Sequence, residues 1–314
     1  MMELSQIFTA AFVVTWLAAA LGLAGPVLLA SLGEIFGERS GVLNIGIEGT
    51  MLLGALASFL VTFYTGSPWL GLASALATGV LVALLLAWMY VTVRASQVVV
   101  GIVFNTLALG LASYGYRLAM GGQTQVQKIP MFGPLYLPGL SDLPALGPVL
   151  FEHSVMFYLT AALVLAAGYL LYRTRFGLNL RAVGENPRAA DTAGISVARM
   201  RYVGVLFSGA TAGMAGAYLV LAQLGIFRDN IVAGRGFIAL AIVIFGRWNP
   251  YLAAAAAVIF GIADALQLSL QIFQLDIPAQ LLLSLPYLLT ILAMSGLLGR
   301  SLSPTALMTP YAKE

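Results

Sequence analysis

The chain has no cysteine and a single histidine, His153. Disulfides, thiolate catalysis and Cys-ligated zinc or iron–sulfur centres are therefore excluded, as is any site built from several histidines. Charge is scarce too: 9% of the 314 residues are Asp, Glu, Lys or Arg, against roughly 25% in an ordinary globular chain. Lysine is nearly missing, with only Lys128 and Lys313. Neither follows a glycine or precedes Ser or Thr, so the chain carries no Gly-Lys-[Ser/Thr] phosphate loop and hydrolyses no ATP by that route. His-Glu-x-x-His, Gly-x-Ser-x-Gly and Ser-x-x-Lys are absent as well, which leaves no catalytic residue, metal ligand or cofactor site to nominate. A net charge of +3 is too small and too concentrated for a nucleic-acid partner. Met1-Met2-Glu3 lacks the basic region that opens a cleavable signal peptide.

What is there instead is apolar sequence: 61% hydrophobic residues and a mean hydropathy of +0.96. No such surface stays in water. The chain reads as one polytopic membrane domain over 1–314, an all-α helix bundle. A spanning helix needs about 20 mostly apolar residues. Charge-free runs at 4–33, 49–93, 95–116, 153–172, 202–227 and 277–299, with 251–275 interrupted only by Asp264, supply eight clear spans. The run 49–93 counts twice, because Gly66-Ser67-Pro68 turns it near its middle. Two shorter stretches, 27–36 after Gly25-Pro26 and 236–246 before Arg247, read as half-helices or re-entrant segments, which brings the expected total to eight to ten.

These short stretches resemble each other. Ile35-Phe36-Gly37-Glu38-Arg39 parallels Ile244-Phe245-Gly246-Arg247, and each precedes a helix with one acid, Glu48 or Asp264. An internal repeat would put interrupted helices at matching positions, as at many transport sites.

Orientation follows from the arginines. The loop 173–201 holds six of them against Glu185 and Asp191, which predicts a cytoplasmic location. The connection 117–152 carries two cations and five prolines, and is expected on the external face. Within the basic loop lies a complete short helix: Asn186 suits the N-cap, Pro187 the first helical position and Gly194 the left-handed stop. Two turns are marginal alone in water, so a helix this well delimited is expected to dock.

The segment Phe176-Gly177-Leu178-Asn179-Leu180-Arg181-Ala182-Val183-Gly184-Glu185-Asn186-Pro187-Arg188-Ala189-Ala190 resembles the coupling segment of permease subunits in bacterial ABC importers. The family is the one serving simple sugars, branched-chain amino acids and nucleosides. Gly37-Glu38-Arg39-Ser40-Gly41-Val42-Leu43-Asn44-Ile45-Gly46-Ile47-Glu48-Gly49 is closer to its nucleoside-type branch, and the likeness continues through Gln97-Val98-Val99-Val100-Gly101-Ile102-Val103-Phe104-Asn105. The resemblance implies a multi-pass subunit of the bacterial inner membrane that is not itself an enzyme. It implies a cytoplasmic ATP-binding-cassette ATPase engaged through Gly184, Glu185, Asn186, Pro187, Arg188, Asp191 and Gly194. It further implies an external substrate-binding protein and a second, homologous permease that need not be identical.

Within the spans, polar residues recur at helical spacing: Asn44 with Glu48, Gln97 with Asn105, and Asp264 with Gln267, Gln271 and Gln274. They line a pathway for a polar neutral solute, or they satisfy backbone near the helix breaks. A rival class, an ion-coupled transporter using Glu48 and Asp264, shares the broken helices but has no use for a docking helix. Gly209-xxx-Gly213 reads as close helix packing, Trp69 and Trp248 as interface anchors, and His153 as interfacial. The match Gly234-Arg235-Gly236-Phe237-Ile238-Ala239 to a dinucleotide fingerprint fails for want of a preceding strand.

Overall fold

A computed structural model describes residues 10–121, 127–136, 138–272 and 303–313, with 281, 284, 288 and 291. Ten helices can be followed in it: α1 (Ala10–Arg39), α2 (Ile47–Thr65), α3 (Pro68–Ala87), α4 (Gln97–Met120), α5 (Val155–Arg173), α6 (Arg175–Glu185), α7 (Pro187–Thr192), α8 (Val197–Tyr218), α9 (Arg235–Phe245) and α10 (Pro250–Ile272). Helix α3 continues into a π-helical turn at Trp88–Thr92, and α8 into another at Leu219–Leu224. Among the described residues the only β-type pairing is an isolated bridge between Pro134 and Ser154. Among the described residues, seven helices are long and apolar enough to cross a membrane. The expected span over 277–299, and Gln274, lie outside the described residues apart from four isolated positions.

Helix α8 is the hub, with 72% of its apolar window buried. Small residues make this possible. A methyl group on Gly213 would fall on the Ala75 carbonyl of α3, and one on Gly216 on the Met51 carbonyl of α2. The Gly209-xxx-Gly213 pair therefore brings backbones together, as its spacing predicts. A second core joins α1, α5, α9 and α10, where Phe36 stacks on Phe207 with centroids 4.8 Å apart.

One expected break is not where the sequence suggested. Helix α1 runs 30 residues without interruption, with Pro26 inside it. Proline there removes the N–H that would bond the carbonyl four residues back. That carbonyl, on Gly22, accepts instead from Gln223 Nε2 in the π turn of α8, at 2.9 Å. A side chain distant in sequence thus supplies the missing donor, and the helix continues. The stretch 27–36 is not a half-helix. The other expected half-helix is real: α9 has 11 residues, about 16 Å of rise, too short to span.

Packing relates the two ends of the bundle. At the arginine-rich end, α6 lies against the end of α1, where a methyl on Gly184 would meet the Arg39 carbonyl. At the opposite, proline-rich end, Ile129 N–H donates to Gly225 O at 3.0 Å and Phe132 N–H to Leu221 O at 2.8 Å.

Candidate functional site

The true interruption follows α1. After a turn at Gly41, with φ +90, the chain at 42–46 runs back along the last turns of the helix it has just left. Non-helical backbone at membrane depth must find partners inside the protein. Val42 N–H donates to Gly37 O at 3.1 Å, and Asn44 N–H to Glu34 Oε1 at 2.7 Å. Leu43 N–H donates to Gln97 Oε1 at 2.8 Å. Asn105 uses both ends of its amide, accepting from Gly49 N–H at 2.8 Å and donating to Ile45 O at 2.9 Å. The Asn44 side chain donates to Ser208 Oγ at 3.0 Å, and Ser208 donates in turn to Glu34 Oε2 at 2.6 Å. Asn44, Gln97 and Asn105 thus converge on one unwound segment.

Glu48, in the first turn of α2, reaches a second break. Its two carboxylate oxygens accept from Gly234 N–H and Gly236 N–H, each at 2.7 Å. These are the first donors of α9, where a helix leaves N–H groups unpaired and favours negative charge. The glycines that mimic a dinucleotide fingerprint bring backbone against a carboxylate, since a methyl on Gly236 would strike Glu48. Asp264 and Gln267 sit on α10, the first half-buried, the second buried. Among the described residues no hydrogen bond joins either to the network around Asn44 and Glu48.

The two similar peptides meet. Arg39 donates from Nε to Trp248 O at 3.3 Å and from a terminal nitrogen to Arg247 O at 3.4 Å. The Trp248 indole donates to Glu38 Oε2 at 2.6 Å. Trp248 is 3% exposed, a buried partner of an acid and not an interface anchor. His153 lies against the proline-rich loop, with Nε2 2.8 Å from Val149 O and its ring stacked on Phe157.

At the arginine-rich end the short helix forms with the stops its sequence encodes. Asn186 Oδ1 accepts from Ala189 N–H at 3.1 Å, Pro187 opens α7, and Gly194 closes the turn at φ +82. Ala190 is buried with Val183 and Val197, while Arg188, Ala189 and Thr192 face outward. The segment 303–313 straps this loop down. Ala306 N–H donates to Gly184 O at 2.9 Å, Met308 N–H to Gly41 O at 3.1 Å, and Thr305 Oγ1 to Glu185 Oε2 at 2.9 Å. Tyr311 donates to Asp191 Oδ2 at 3.1 Å, and Lys313 pairs with Asp191 Oδ1 at 3.3 Å.

Sequence reading passed over Glu34, Glu38, Ser208 and the strap. Glu34 and Glu38 carried a visible signal, two acids one turn apart in an apolar helix, both buried here. Ser208 and the strap carried none, because their partners lie far off in sequence.

A bundle of apolar helices with sheltered backbone breaks and a capped helix at its basic end defines a multi-pass transport subunit. The family described as "Branched-chain amino acid transport system / permease component" matches residues 16–294. The chain is 42% identical to the guanosine ABC transporter permease protein NupQ of Bacillus subtilis, over 92% of this chain and 94% of that one. It is 37% identical to the nucleoside ABC transporter permease protein NupC of Lactococcus lactis, over 92% and 94%. With the putative glucose ABC transporter permease protein TsgC13 of Haloferax volcanii it shares 35%, over 91% and 94%. No solved structure matches significantly. The chain belongs to this family of permease components, and is a multi-pass protein of the bacterial inner membrane.

Proposed function

We propose that this chain is the membrane-spanning subunit through which an ATP-driven importer takes up nucleosides. The observation that carries the reading is α7, a six-residue helix capped at both ends and held outward at the arginine-rich end of the bundle. A self-sufficient ion-coupled carrier has no need of such a handle. The names of the relatives above support the nucleoside as cargo, with a sugar as the alternative. Loop 173–201 faces the cytosol and receives a separate ATPase through Gly184, Glu185, Asn186, Pro187, Arg188, Asp191 and Gly194. The connection 117–152 faces outward, toward a substrate-binding protein, and chemistry on ATP belongs to the partner alone. The solute passes by the breaks at 40–46 and 226–234, along Asn44, Glu48, Gln97 and Asn105, with Asp264 and Gln267 contributing from α10. A second, related permease completes the pathway.

The test is uptake by the reconstituted complex. Asn186→Lys combined with Arg188→Glu is expected to abolish nucleoside uptake while the protein stays inserted. Uptake is expected to persist when proton and sodium gradients are collapsed. Normal transport by the double variant, or loss of transport with the gradients, overturns the reading. Cysteines placed at 44, 48 and 105 in this cysteine-free chain report exposure along the path. No labelling by a small aqueous thiol reagent in any nucleotide state removes these residues from it.

A further inference from the structure

At the arginine-rich end, behind α7, lies an open cavity of about 450 Å3 that shares only Asp191 and Gly194 with the coupling residues proposed above. Its wall includes Arg94, Arg201, Lys313, Asp191, Ser196 and Val91. Arg201 is 2% exposed, and its Nε and one terminal nitrogen are buried with no hydrogen-bond partner. A guanidinium stays charged at any cellular pH, and an unpaired buried charge is among the costliest features a fold can keep. The acid in the same wall does not relieve it: the oxygens of Asp191 are held by Tyr311 and Lys313. Three cations against one carboxylate leave the cavity positive by two charges. The first turn of α8 at Ser196, Val197 and Ala198 adds the positive end of a helix.

We infer that this cavity binds a phosphate group. The ligand must offer several oxygens to donors arriving from different directions. A phosphate provides them to Arg94 and the helix terminus while its charge answers the sealed guanidinium of Arg201 behind them, whereas a carboxylate has only two. The site lies where α8 begins and the π turn after α3 ends, the level at which spans leave the apolar core. The phosphate could therefore arrive on an anionic lipid headgroup or free from solution, and the two sources are separable by experiment.

The purified transporter complex is titrated with inorganic phosphate at constant ionic strength, with chloride as control, and its thermal midpoint followed. In parallel, nanodiscs of phosphatidylglycerol mixed with phosphatidylcholine are analysed for lipid retained by the protein in native mass spectra. A saturable phosphate-specific rise assigns a soluble ligand. Selective retention of phosphatidylglycerol assigns a headgroup. Either supports the site, provided Arg201→Gln weakens the effect by about tenfold or more, the scale of one charge-assisted contact. Because Arg201 is buried, Arg94→Gly is the second variant. Arg94 is exposed at φ +61, where glycine is unstrained, so this change removes a ligand-binding cation without a folding penalty. Neither effect in the parent protein, or undiminished binding in both variants, overturns the inference. So does rescue of an Arg201→Glu defect by reversing an acid on the ATPase, which would make Arg201 a protein-docking residue.

Discussion

Glu48 gives both carboxylate oxygens to backbone N–H groups at the start of α9. A glutamine there keeps one acceptor and turns an NH2 group toward the other N–H. Glu48→Gln is therefore expected to lower stability by about 1–3 kcal/mol, the cost of one buried donor left unmade. Asn105→Leu strands two groups at once, Gly49 N–H and Ile45 O, and is expected to cost more than Glu48→Gln. Thermal unfolding of the purified variants in detergent checks the order. Equal midpoints for Asn105→Leu and the parent would mean that the backbone at 45–49 finds other partners. Uptake measured per folded molecule then separates a pathway role from this structural one.

Helix α1 illustrates what an element owes to its neighbours. Gln223→Leu removes the donor that replaces the missing N–H of Pro26, and is expected to destabilise by about 1–3 kcal/mol. Pro26→Ala in the same background restores an N–H to Gly22 O, so the pair should show strong coupling in a double-mutant cycle. Additive effects on the melting midpoint would remove Gln223 from its assigned role. The same residues explain what sequence could disclose. Apolar spans and the capped helix α7 were legible because twenty apolar residues, or Asn186-Pro187 and Gly194, are local signals. The fate of Pro26 was not, since it depends on Gln223. Ser40-Gly41 and Gly46 bracket 42–46 as local breakers, yet nothing local says that this stretch folds back along α1. That stretch is held by Gln97 and Asn105 of α4, whose amides read equally well as pathway groups. Of the candidate residues, Asn44, Gln97 and Asn105 lie together at the first break, while the hydrogen bonds that unite them, and Glu34 and Ser208 among them, were not legible.

As a whole molecule the bundle is unevenly wrapped. Only 22% of the apolar window of α4 is buried, and Ile102, Val103, Leu107 and Leu111 stand exposed along it. If the second permease docks there, Leu107→Cys should yield crosslinked permease pairs in membranes, while Leu165→Cys on α5 should not. Crosslinking equally strong at 165, or absent at 107, would place the partner on another face. The strap at 303–313 has a different kind of consequence. It follows all the described spans in chain order, yet it holds Gly41, Gly184 and Asp191. During synthesis the platform bearing α7 therefore stays unfinished until 303–313 has left the ribosome. If an ATPase docks on the strapped loop, as proposed, it would engage completed permeases and pass over nascent ones.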